Sequence, residues 1–156
     1  MITITVPGLG SYNIEYLVLD VNGTIAQDGQ LIMGVQEKLA LLSARLEIHL
    51  ITADTHGSQS TIDTELGIAA FRITPGHESV QKGQYVRLLG AAHVVAIGNG
   101  ANDVDMLRSA AIGIGVLGGE GLASGANQAA DILTFSIQDA LDLLLNPARI
   151  SATLRR

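Results

Sequence analysis

The 156 residues contain no cysteine and no tryptophan. Disulfides, thiolate metal sites and cysteine nucleophiles are therefore excluded. Aromatic residues are 3% of the chain, too few for a base-stacking platform. Basic residues are also scarce. Nine Lys and Arg face fifteen Asp and Glu, a formal net charge of −6, which disfavours binding to a nucleic-acid backbone. No run of about 18 apolar residues is present, so no membrane-spanning helix is expected. Residues 1–7 lack the basic and apolar regions of a signal peptide, which makes the cytoplasm the expected compartment. What is present is apolar: 47% hydrophobic residues, with a mean hydropathy of +0.36. Charged residues are only 15%, a balance that favours a packed core over disorder. The length fits one domain over residues 1–156.

Residues 2–6 alternate β-branched side chains and stop at Pro7-Gly8, as a strand closed by a turn does. Residues 13–19 read as a second strand, and the two together as an N-terminal hairpin. Within that second strand Tyr16-Leu17-Val18-Leu19 has the continuous apolar character of a central parallel strand. Helical periods or stop signals mark 34–46, 58–66, 79–89, 103–110, 122–130 and 137–145. Short apolar runs between them mark strands at 47–51, 71–74, 93–97, 112–117 and 132–135. The tail to Arg156 reads as short and basic. Strands alternating with helices predict an α/β fold, a parallel sheet with helices on both faces. Residues 1–19 would form the hairpin and first core strand, and 20–145 the core that carries the motifs.

In such sheets ligands bind beyond the carboxyl ends of the strands. The polar residues expected there are Asp20, Asn22, Gly23 and Thr24, then Thr52 and Asp54, then Asn99, Asn102, Asp103 and Asp105. A carboxylate ending a buried strand is costly unless paired or metal-bound. The Asn22-Gly23 turn that follows Asp20 could aim backbone N–H groups at an anion. Alone, this stretch can also be read as a strand that simply ends in an Asx turn.

Asp20-Val21-Asn22-Gly23-Thr24 resembles the first motif of the haloacid dehalogenase (HAD) superfamily. Three further motifs follow in order. Thr52 ends an apolar strand, Lys82 lies in Gln81-Lys82-Gly83, and Gly98-Asn99-Gly100-Ala101-Asn102-Asp103 is similar to the fourth motif. The resemblance covers residues 14–145 and is strongest to the phosphorylation domains of P-type ATPases. It implies a Rossmann-like three-layer α/β/α core and an aspartyl phosphate formed on Asp20. It also implies Mg²⁺ held by Asp20, the carbonyl of Asn22, Asn99 and Asp103. Asn22, Gly23, Thr24, Thr52, Ala53, Lys82 and Asn102 would bind phosphate, with Thr52 and Lys82 stabilising charge on the phosphoryl oxygens.

Two positions depart from the family pattern. Asn22 replaces the carboxylate that acts as general acid and base, and an amide cannot do that work. Asn99 replaces a carboxylate of the cation site, removing one negative charge. The expected activity is that of a slow phosphohydrolase or phosphotransferase acting on a phosphomonoester or acyl phosphate. The alternative is a decayed core that binds phosphate or metal, or regulates a partner. Asp105 reads as a helix-start residue and Asp54 as a cap or loop residue near Thr52. His49, His56, His77 and His93 lack metal-ligand spacing. Gly113 and Gly115 fall inside a predicted strand, which argues against a dinucleotide fingerprint. Residues 25–33 and 52–82 leave no room for a cap domain. An uncapped site and an apolar composition together suggest a homo-oligomer.

Overall fold

The computed structural model describes residues 1–53 and 57–156. Ile2–Val6 (β1) and Gly10–Ile14 (β2) form an antiparallel hairpin. Ile2, Ile4 and Val6 are buried, while Thr3 and Thr5 face outward and reach Asn13 and Ser11, each at 3.0 Å. The strand expected over 13–19 is two strands. Tyr16–Asp20 (β3) is separate, and Glu15 is the break. The Glu15 N–H donates to His93 O at 2.9 Å, and its carbonyl accepts from the Glu47 N–H at 2.9 Å. These bonds turn the chain out of the hairpin and into the main sheet.

Ala26–Gln27 (β4) and Gln30–Leu31 (β5) form a small hairpin, and no cap domain follows among the described residues. Next come Val35–Ser43 (α1), Glu47–Thr52 (β6), Gln59–Leu66 (α2), Phe71–Arg72 (β7) and Glu78–Leu89 (α3). Val94–Gly98 (β8), Val104–Ser109 (α4), Ile112–Val116 (β9) and Ser124–Ala129 (α5) follow. The chain closes with Ile132–Thr134 (β10), Ile137–Leu145 (α6) and Ala148–Leu154 (α7). The Ser136 side chain caps α6 by accepting from the Asp139 N–H at 3.1 Å.

The central sheet is parallel, in the order β10-β9-β8-β3-β6-β7. Alternate residues of β3 feed opposite faces. Leu17 and Leu19 join the core that includes Leu39 and Leu42 of α1 and Leu141 and Leu144 of α6. Val18 joins Val86 of α3, Met106 and Leu107 of α4, and Ala126 of α5. Each Val, Leu or Met side chain among these contributes about 1.5–3 kcal/mol on burial, which is why continuous apolar strands end up between helix layers. The chain runs from β3 to β6 on one side and later returns to β8 on the other. The switch point of the sheet therefore lies at the carboxyl end of β3, where Asp20 sits.

Two further expectations are corrected. The strand expected at 71–74 covers only Phe71–Arg72, because Thr74 directs its N–H and hydroxyl to Gln81 Oε1, each at 3.0 Å. The tail contains α7, which docks on β1: Ile150 is fully buried, and the Ser151 hydroxyl donates to Thr5 O at 2.6 Å. A seven-residue helix with one buried apolar anchor leaves no readable period. Gly113, inside β9 as expected, has a packing reason. A Cβ there would lie 2.5 Å from the Leu107 carbonyl oxygen, which is backbone and cannot swing aside. Gly113→Ala should therefore lower the unfolding free energy by about 1–3 kcal/mol, measured by urea denaturation.

Candidate active site

All four motif segments converge at the carboxyl end of the sheet. Asp20 ends β3, Thr52 ends β6, Asn99 follows β8, and Lys82 enters from α3. Lys82 is fully buried. Its Nζ lies 2.5 Å from Asp20 Oδ1 and 2.7 Å from Asp103 Oδ1. Tight packing brings α3 close enough for this reach: a Cβ on Gly83 would stand 2.8 Å from the Asp105 Cβ. Asp103 turns its other oxygen to the N–H groups of Asn99 and Gly100, at 2.9 and 2.8 Å. A Cβ on Gly98 would lie 2.6 Å from that carboxyl group, so glycine makes the space it occupies. Asp103, a candidate cation ligand, has both oxygens hydrogen-bonded. It braces Lys82 and the β8 exit from behind.

Asp20 Oδ2 accepts from the Thr24 hydroxyl at 3.0 Å, and Asn99 Oδ1 lies 3.1 Å from the same hydroxyl. One hydroxyl carries one hydrogen, so one of these two oxygens is always left without it. The Asn99 amide is oriented by its Nδ2, which donates to Gly121 O at 3.0 Å. This convergence of hard oxygen donors fits Mg²⁺ chemistry. Among the described residues there is no group of three or more His, Cys, Asp or Glu able to hold a metal. The oxygens that converge on the Thr24 hydroxyl belong to one carboxylate and one amide. The turn itself corrects another expectation. The Gly23 N–H donates to Ala26 O at 2.8 Å and the Thr24 N–H to Val21 O at 3.2 Å. Those two amides close the turn instead of facing an anion.

Asp20, Asn22, Ala53, Asn99, Gly100, Asn102 and Glu120 line a cavity of about 230 Å³. Asn22 Nδ2 donates to Thr52 Oγ1 at 3.4 Å, and Asn102 Nδ2 to Glu78 Oε2 at 3.1 Å. Asp54 and His56 lie outside the described residues. Asp105 is at the start of α4, where its N–H donates to Ser79 Oγ at 3.1 Å. His49 meets the Tyr85 hydroxyl and His93 the Asn13 carbonyl, each at 2.8 Å, in keeping with structural roles. Glu120 is the residue that the sequence reading missed. It sits in a glycine-rich loop, and no motif marks it.

No family model matches the chain. "Uncharacterized protein MJ0073" of Methanocaldococcus jannaschii is 50% identical over 62 residues, 40% of this chain and 67% of that protein. The human "Probable phospholipid-transporting ATPase IM" is 50% identical over 54 residues, 33% of this chain but 4% of the ATPase. Likeness to solved structures extends over most of the chain. A HAD-family protein from Streptomyces avermitilis has a TM-score of 0.69 at 18% identity, covering 87% of each chain. The 3-deoxy-D-manno-octulosonate 8-phosphate phosphatase of Moraxella catarrhalis, in complex with magnesium and phosphate ions and KDO, has a TM-score of 0.63 at 23% identity, covering 89% of this chain and 92% of that one. A phospho-aspartyl intermediate analogue of phosphoserine phosphatase has a TM-score of 0.65 at 12% identity, covering 83% and 98%. At these identities the likeness is one of fold.

Electrostatics at the site follow from two carboxylates sharing one ammonium. Burial first, and then the charge on Asp103, push the Asp20 carboxyl from 3.8 up to about 7, against the pull of Lys82 and Thr24. Burial alone would lower Lys82, but the Asp20 and Asp103 carboxylates raise it above its ordinary value. A proton kept by the folded chain and released by the unfolded one makes stability fall as pH rises between about 4 and about 7. In metal-free urea denaturation, Asp20→Asn should be more stable than wild type above about pH 7. The two should match below about pH 4.

Proposed function

We propose that this chain, which has the fold of the haloacid dehalogenase superfamily, is a Mg²⁺-dependent phosphohydrolase of small phosphorylated substrates that works through an aspartyl phosphate on Asp20. The observation that carries this reading is the buried Lys82, held between Asp103 and an Asp20 that lines a polar cavity. An Asp20 oxygen attacks phosphorus. The new O–P bond forms as the bond from phosphorus to the leaving oxygen breaks, and that oxygen takes its proton from water because Asn22 has no acid to offer. Water then attacks phosphorus, the bond to Asp20 breaks, inorganic phosphate leaves, and the proton goes to solvent.

Lys82 orients the nucleophile and offsets negative charge on the phosphoryl group. Thr52, Ala53 and Asn102 hold the phosphoryl oxygens. Asp20, the Asn22 carbonyl and the Asn99 amide oxygen would hold Mg²⁺, with Asp103 acting through Lys82 and the Asn99 N–H. When bound, Mg²⁺ supplies charge neutralisation between nucleophile and phosphate. The cytoplasm, with its pool of phosphorylated small molecules, is the setting this reading implies. Asn22 and Asn99, both neutral on the cavity wall, favour a second reading: a core that binds phosphate and metal without turnover.

Phosphate release from an aryl phosphate with Mg²⁺ distinguishes the two. Turnover that falls to background in Asp20→Asn and rises by up to about 10²-fold in Asn22→Asp is the expected result. Calorimetric phosphate binding without turnover, and no gain in Asn22→Asp, assigns the second reading. A homo-oligomer belongs to the first reading, because the site has no cap. Leu117, Leu133 and Phe135 are exposed around an apolar cavity of about 250 Å³ beside β10. Phe135 is 84% exposed. Phe135→Asp is expected to shift sedimentation to the monomer; a wild-type chain that is already monomeric would refute the assembly.

A further inference from the structure

We infer that Glu120 supplies the carboxylate that the cation site lacks at Asn99, an assignment that rests on the phosphohydrolase reading above. Glu120 lies in the loop between β9 and α5. The loop is anchored at both ends. The Leu117 N–H donates to Thr134 O at 2.9 Å, and the Ala123 N–H to Asn99 O at 2.9 Å. Gly121 O receives the Asn99 amide at 3.0 Å. Gly118 and Gly121 flank Glu120 with φ of +50° and +85°, a left-handed backbone that turns the loop back on itself. At Gly119 a Cβ would lie 2.4 Å from Gln27 Oε1, so the loop presses against the β4–β5 hairpin.

These contacts hold Glu120 on the wall of the Asp20 cavity. Its Oε2 lies 2.6 Å from where a Cβ on Gly23 would stand, and Nδ2 and Oδ1 of the Asn99 amide lie 2.7 and 2.9 Å from that same point. The Glu120 carboxylate and the Asn99 amide border one small space beside the Asn22-Gly23 turn. The Glu120 carboxylate makes no hydrogen bond or ion pair among the described residues. The charge balance points the same way. Asp20, Asp103 and Lys82 together carry one negative charge, and Asn22 and Asn99 add none. Glu120 brings the site to two, the charge a divalent cation needs, and does so with the hard oxygen Mg²⁺ prefers.

Calorimetric titration of the full chain with MgCl₂ tests the assignment. Glu120→Gln, at an exposed position, should weaken Mg²⁺ binding at least about 10-fold and leave the metal-free melting curve close to that of wild type. Asn99→Asp should tighten it. The double variant Asn99→Asp/Glu120→Gln should return near wild type, because the charge is moved and not lost. If Asp20→Asn abolishes binding while Glu120→Gln binds as wild type, Glu120 is not a ligand and the site reading still stands. A wild-type chain that takes up no Mg²⁺ overturns both.

Discussion

A single buried ammonium organises this molecule. Lys82 has no access to water, and its charge is tolerable because carboxylates reach it, from Asp20 on one side and Asp103 on the other. A buried charge left with no partner typically costs about 3–5 kcal/mol, so the triad ties α3, the end of β3 and the turn after β8 into one unit. The close packing at Gly83 and Gly98 serves the same contact: one brings the lysine within reach, the other makes room for the Asp103 carboxyl. The position of the Asp20 carboxylate is thus set by packing on three elements and not by its own strand alone.

The second feature is what the cavity wall omits. Asn22 and Asn99 stand where the family pattern has carboxylates, and each keeps an oxygen while losing a charge. The fold keeps the positions and changes the electrostatics. With fewer carboxylates on the wall, the proposed mechanism leaves the acid-base step to water, and a cation would depend on Asp20 and on the charge that the loops bring. The β9–α5 loop, fastened to Asn99 at its carbonyl and its amide, is the element placed to bring it.

Much of this was legible before any coordinates. The strand Ile2–Val6 and the helix Ile137–Leu145 match their expected bounds, because alternation and helical period are strong there. The motif residues converge as expected, because parallel strands deliver their carboxyl ends to one edge. Other features were hidden. Glu15 looked like strand interior because the interruption comes from bonds to His93 and Glu47, both distant in sequence. The Gly23 and Thr24 amides looked available because nothing local says that Ala26 and Val21 accept from them. Glu120 carried no signal, since its place depends on how a glycine-rich loop docks against Gln27 and Asn99.

The order of the motifs and the apolar runs between them determined the layers, the parallel sheet and the identity of the central aspartate. Those properties follow from local periodicity and chain order, which a sequence carries in full. Tertiary structure alone decided that Asp103 braces the lysine, that the turn amides face inward, and that Glu120 overlooks the cavity. Each of these is a contact between side chains or amides and groups on other segments, fixed by packing that only the folded chain possesses.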